Sequence, residues 1–124
     1  MFRYRRRSAL FLLVLASACG KSLPTLENVD QIAWKNDKNG CGGMRGSIVE
    51  GIMQQKSKLL SLSELEIVSL LGKPDQNELY TRNQKFYYYF VEPAEACDSA
   101  KAQHQRLVVR FNAVGLASEI LLEE

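Results

Sequence analysis

At 124 residues, with 46% hydrophobic and 24% charged side chains, the chain has the size and composition of one ordinary globular domain, which excludes a low-complexity or disordered polymer. Sixteen Lys and Arg stand against fourteen Asp and Glu, but four of the arginines and none of the acids fall within residues 1–18. The remainder has twelve cations and fourteen anions, a net charge of −2. A weakly acidic domain without a basic run argues against nucleic acid or an anionic membrane surface as the partner.

The chain opens with a basic segment, Arg3, Arg5, Arg6 and Arg7, followed by an apolar run from Ala9 to Leu15 and the small residues Ala16-Ser17-Ala18 before Cys19. This order predicts a secretion signal over residues 1–18. The run is shorter than the roughly twenty apolar residues of a membrane-spanning helix. A cysteine directly after Ala-Ser-Ala resembles the lipobox of bacterial lipoproteins. The resemblance implies lipidation at Cys19, which makes the membrane a partner through an N-terminal lipid anchor. Gly20, rather than aspartate, after the cysteine resembles lipoproteins sent on to the outer membrane, on its periplasmic face.

With Cys19 taken by lipid, Cys41 and Cys97 remain as an even pair in an oxidising compartment, for which a disulfide is the default. Closing so long a loop stabilises a small domain by about 4 kcal/mol in chain entropy. Two distant cysteines and the single His104 show no metal-ligand spacing.

Residues 19–31, with Gly, Ser, Pro, Thr and Asn and little periodicity, read as a lipidated tether, and residues 32–124 as the folded domain. Trp34 precedes a polar, glycine-rich turn leading to Cys41 and is expected to be a lid on the core; an exposed tryptophan for a protein or sugar partner is the alternative. Over residues 44–58, Met44, Ile48, Val49, Ile52 and Met53 keep a 3.6-residue period and predict a first helix, with Arg45, Glu50, Gln54, Gln55 and Lys58 available for its wet face. A second, shorter helix follows. Ser63 and Glu66 have capping-box spacing, Leu62 is placed to staple onto Ile67, and Gly72 with Pro74 marks the stop in a left-handed closure.

Beyond Pro74 the period changes from 3.6 to 2. Residues 78–82 form a plausible short strand, Asn83-Gln84 a tight turn, and residues 85–91 a strand apolar on both faces, with Phe86, Tyr88 and Phe90 on one and Tyr87, Tyr89 and Val91 on the other. Residues 93–103 read as a loop. Residues 106–112 alternate with Leu107, Val109 and Phe111 inward, and Gly115 turns the chain into a last strand over residues 116–122. The expected fold is α+β, two N-terminal helices packed on one face of a three- or four-stranded antiparallel sheet. Its open face is expected to carry Tyr87, Tyr89, Arg106, Val108 and Arg110, a composition that suits a protein interface, the alternative being simply the solvated side of a small sheet.

The phrase Leu62-Ser63-x-x-x-Ile67-x-x-Leu70-Leu71-Gly72-x-Pro74, the tyrosine strand Phe86-Tyr87-Tyr88-Tyr89-Phe90 and the closing Val109-Arg110-Phe111-Asn112 together resemble the SmpA/OmlA domain of outer-membrane assembly lipoproteins, the BamE-like family, over residues 44–122. The resemblance implies a non-catalytic accessory lipoprotein that binds envelope proteins, with the β-barrel assembly machinery as a partner. Ser61 and Leu62 replace the family's usual Gly-Met at the helix entry, and its Gln-Gly-Asn segment has no counterpart, so no partner-binding residue is transferred. The architecture is also similar to that of β-lactamase inhibitory proteins, which makes an anchored or secreted inhibitor of a periplasmic enzyme the second expectation, with residues 93–101 as its loop. No nucleophile elbow, phosphate-cradling glycine loop or zinc-protease motif is present, so the sequence predicts no enzyme, no cofactor and no small-molecule substrate. The residues expected to meet a protein partner are Tyr87, Tyr89, Arg106, Arg110 and Trp34.

Overall fold

Each change of hydrophobic period in the sequence becomes a change of element in the structure, a computed structural model that describes residues 22–98 and 104–124. The signal segment, Cys19 and part of the 93–103 loop lie outside the described residues. Three helices, α1 (Gln31–Asn36), α2 (Met44–Gln54) and α3 (Glu64–Leu71), precede four strands, β1 (Gln76–Tyr80), β2 (Gln84–Phe90), β3 (Arg106–Phe111) and β4 (Ala117–Glu123). The strands form an antiparallel meander in the order β1-β2-β3-β4, so the α+β class holds with four strands. No helix among the described residues is long and apolar enough to cross a membrane.

The capping box forms as expected. Glu66 N donates to Ser63 Oγ at 3.2 Å, and Ser63 N donates back to Glu66 Oε1 at 3.1 Å, satisfying two end groups of α3 that the helix cannot pair itself. Gly72 ends the helix with positive φ but extended ψ (82°, −179°), a shape outside the left-handed closure expected. A Cβ there would also lie 2.9 Å from Lys35 Cγ, so only glycine fits.

The helices cover one face of the sheet. Trp34, Val49, Ile52, Leu59, Ile67, Leu70 and Leu71 pack with Tyr89, Val91, Leu107, Val109, Phe111, Ala117 and Ile120 in one core. The strand register explains why Tyr89 is there. Tyr87 pairs with Val109 and Tyr89 with Leu107, which point at the helices, whereas Tyr88 pairs with Val108 and Phe90 with Arg106. Pairing partners share a face, so the expected placement is reversed for β2: Tyr87, Tyr89 and Val91 face inward, and Phe86, Tyr88 and Phe90 face away. A strand apolar on both sides carries no periodic signal to decide this.

Three further expectations are corrected. Two helices are expected and a third, α1, precedes them; Asp30 caps it, Oδ1 accepting from Ala33 N at 3.0 Å, and it carries Trp34, which is fully enclosed as a lid on the core. The tether does not extend to residue 31, because Leu26 is buried in the core and Val29 packs against it. Lys58 Nζ donates to Thr25 O and Gln55 Nε2 to Glu27 O, fastening that segment to the end of α2. Finally, β1 begins at Gln76, two residues early, because Arg82 and Asn83 take left-handed conformations in a turn over Thr81–Asn83.

Candidate functional site

Arg45 was expected on the wet face of α2 and is instead only 1% exposed, at the centre of a polar cluster. Its Nη1 lies 2.5 Å from Asp75 Oδ2 and 3.1 Å from Phe90 O, and its Nε donates to Trp34 O at 2.9 Å. The guanidinium lies 5.0 Å from the Trp34 ring centre, close enough for cation–π attraction. Asp75 also accepts from Asn39 N and Phe90 N, at 3.0 and 2.8 Å. Asp37 caps α2, taking Gly42 N on one oxygen and Arg45 N on the other. A buried charge is tolerated only when fully partnered, and here each one is. The cluster binds α1, α2, the entry to β1 and the exit of β2, and its role is structural. The Asp37/Asp75 spacing around Arg45 gives no sequence periodicity by which to find it.

Cys41 and Cys97 form a disulfide, their Cα atoms 5.4 Å apart and 56 positions apart in sequence. It joins the end of the 3-10 turn Lys38–Gly40 to the loop after β2, where Ala94 N donates to Asn39 O. Gly40 sits under that loop; a Cβ on it would lie 2.8 Å from Glu92 O.

On the outer face of the sheet Tyr88, Phe90 and Val108 are buried. Arg106 folds over Tyr88, its guanidinium carbon 3.8 Å from the ring centre, and is held by Glu123, with Nε to Oε1 at 2.7 Å. Tyr88 Oη donates to Glu78 at 3.0 Å. Burial, then this bond, pushes the Tyr88 hydroxyl well above its ordinary pKa, while hydrogen bonds from Tyr80 and Tyr88 hold the Glu78 carboxyl below the carboxylate range. Arg110 lies on the same face, 3.4 Å from Glu119, with both side chains well exposed. Of the five residues expected to meet a partner, Arg106 and Arg110 are on this face, while Tyr87, Tyr89 and Trp34 belong to the helix side. Tyr87 Oη donates to Glu64 and Tyr89 Oη to Gly72 O, at 2.9 and 2.8 Å.

Exposed apolar side chains stand on the helices, at Ile32, Met44 and Leu65, and at the end of the sheet where the β1–β2 and β3–β4 turns lie side by side. Tyr80, half exposed, meets Phe86 edge to face at 4.7 Å, and Phe86 stacks towards Tyr88 at 6.3 Å. On the other side of the same end Leu79 is 67% and Val114 77% exposed, and they rim a cleft of about 450 Å³ together with Glu64, Asn83, Lys85 and the 112–115 turn. Lys85 Nζ and Tyr87 Oη both donate to Glu64 Oε1 on the cleft floor. Large apolar side chains left in water at both sides of one edge, next to an Arg–Glu pair, are the surface composition of a protein contact. In the sequence only the alternation of β1 hints at it, since Leu79 and Tyr80 point to opposite faces.

Comparison with protein-family models, with curated proteins and with solved structures finds no match to this chain.

Proposed function

We propose that this chain is a non-catalytic, lipid-anchored envelope protein that holds a protein partner at the turn-bearing end of its sheet. The observation that carries the reading is the convergence of Leu79, Tyr80, Phe86 and Val114 at that one end, exposed or half-exposed, while Tyr88, Phe90 and Val108 farther along the outer face are buried. Anchoring rests on the signal-like segment and Cys19, and an extracytoplasmic address agrees with the Cys41–Cys97 disulfide. The order of capped helix, Gly-x-Pro stop and tyrosine strand supports a BamE-like accessory role in outer-membrane protein assembly, with the β-barrel assembly machinery as partner.

The test is photo-crosslinking in intact cells from probes placed singly at Leu79, Tyr80 and Val114, with Glu50 and Gln54 on the exposed side of α2 as controls. Capture of assembly-machinery subunits from the first three positions and not from the controls is the expected result. Capture of one soluble periplasmic enzyme would replace the assembly role with inhibition, and equal yields from all five positions would remove this end of the sheet as the interface.

A further inference from the structure

We propose that the cleft between the Lys38–Gly40 turn and the stop of α3 binds a phosphate ester. It has a volume of about 310 Å³ and is lined by Lys35, Lys38, Asn39, Gly72, Lys73, Pro74 and Asp75. Lys35 and Lys38, three positions apart, meet Lys73 there because Asn39 N donates to Asp75 Oδ1 and holds the turn after α1 against the start of β1, so no basic run marks the site in the sequence.

The charge balance in the cleft favours an anion. The only acid lining it, Asp75, is 4% exposed as a side chain and has both oxygens turned inward to Arg45, Asn39 N and Phe90 N. Lys35 Nζ donates to Ser69 O at 2.7 Å, at the carbonyl end of α3. Lys38 and Lys73 are exposed and make no ion pair among the described residues, and the Asn39 side chain makes no hydrogen bond among them. A local excess of cation therefore stands in a domain whose net charge is negative.

The donor chemistry favours phosphate over carboxylate. A carboxylate offers one charge on two oxygens, whereas a phosphate monoester offers up to about two charges on three oxygens, and the one arginine near this cleft is committed to Asp75, Phe90 O and Trp34 O. What remains is two ammonium groups and an amide, point donors that suit the several oxygens of a tetrahedral phosphate. Gly72 lets Lys35 lie against the stop of α3, since a Cβ at its position would run into the Lys35 side chain. A soluble phosphate ester and a phospholipid headgroup present the same chemistry here.

The test is amide NMR of the full chain in zwitterionic detergent, at constant ionic strength. Inorganic phosphate and glycerol 3-phosphate are added in one arm, micelles doped with an anionic phospholipid in a second, and acetate in a third. Saturable shifts at Lys38, Asn39, Gly72 and Lys73 are expected in the first or second arm, which names the source, with acetate inert. The Lys38→Ala/Lys73→Ala double variant, altered only at exposed positions, should keep the remaining spectrum and bind at least about tenfold more weakly. No saturable shift in either phosphate arm, an equal response to acetate, or unchanged binding by the double variant would overturn the proposal.

Discussion

Arg45 and Asp75 form an ion pair with its partners 2.5 Å apart and both side chains almost completely withdrawn from water. The pair ties the first turn of α2 to the residue that leads into β1. Removing one member of such a pair leaves the other charged and alone in a low-dielectric interior, at a cost of about 3–5 kcal/mol. Arg45→Met should lose that much in urea unfolding, and adding Asp75→Asn to it should recover part of the loss. A loss below about 0.5 kcal/mol, typical of an exposed helix position, would show that the pair is wet.

The Cys41–Cys97 bridge constrains a long stretch of unfolded chain. The Cys41→Ala/Cys97→Ala variant should be less stable by about 4 kcal/mol at an unchanged fold. Thiol labelling of the purified protein without reductant should leave both cysteines unmodified, and labelling of both would remove the bridge from the account.

Tyr89 is enclosed in the core, whereas Tyr80 is half exposed on the proposed contact surface. Tyr89→Asp places a carboxylate in a closed apolar site and should prevent folding. Tyr80→Asp, at a half-exposed edge position, should change stability within about 0.5 kcal/mol yet lower the crosslinking yield from Leu79. Loss of folding in Tyr80→Asp would assign that ring to the core.

Local signals were legible in the sequence and tertiary ones were not. The capping box at Ser63 and Glu66 is a local signal and forms as read, and the strict alternation of β3 orients Leu107, Val109 and Phe111 correctly. Tyr87 and Tyr89 were assigned to the wrong face because β2 is apolar on both sides; only pairing with β3 decides between them. Arg45 was read as solvated because arginine usually is, and its partner Asp75 is thirty positions away. The proposed contact end of the sheet is tertiary in origin, built by two turns that are neighbours only after the meander forms.

Alkaline pH supplies a further check. Burial, and then the hydrogen bond to Glu64, pushes the Tyr87 hydroxyl up to about 12 from its ordinary 10. Burial raises Tyr89 further, with Tyr87 adding to the effect. A folded-state pKa above the unfolded one means that the contribution is complete below pH 10 and fades as pH rises through about 12. Ultraviolet titration should therefore find tyrosinate appearing late and together with loss of structure. Tyr87→Phe should withstand alkali better relative to its own neutral-pH stability. Ionisation at about pH 10 without unfolding would mean these hydroxyls are open to water.

Membrane attachment is tested at Cys19. Cys19→Ser should move the protein from the membrane fraction to the soluble one, and continued sedimentation with membranes would exclude a lipid at this residue as the anchor.

The meander has a consequence for the order in which the chain can fold. Its three ladders each join strands adjacent in sequence, so the sheet can zip from local hairpins without waiting for distant partners. The three helices are made first, and they are short, six, eleven and eight residues, below the length at which a helix persists alone in water. Their support, the inward side of β2 and β3, is synthesised last. The N-terminal helices therefore have no stable resting form until the strands that support them have been made.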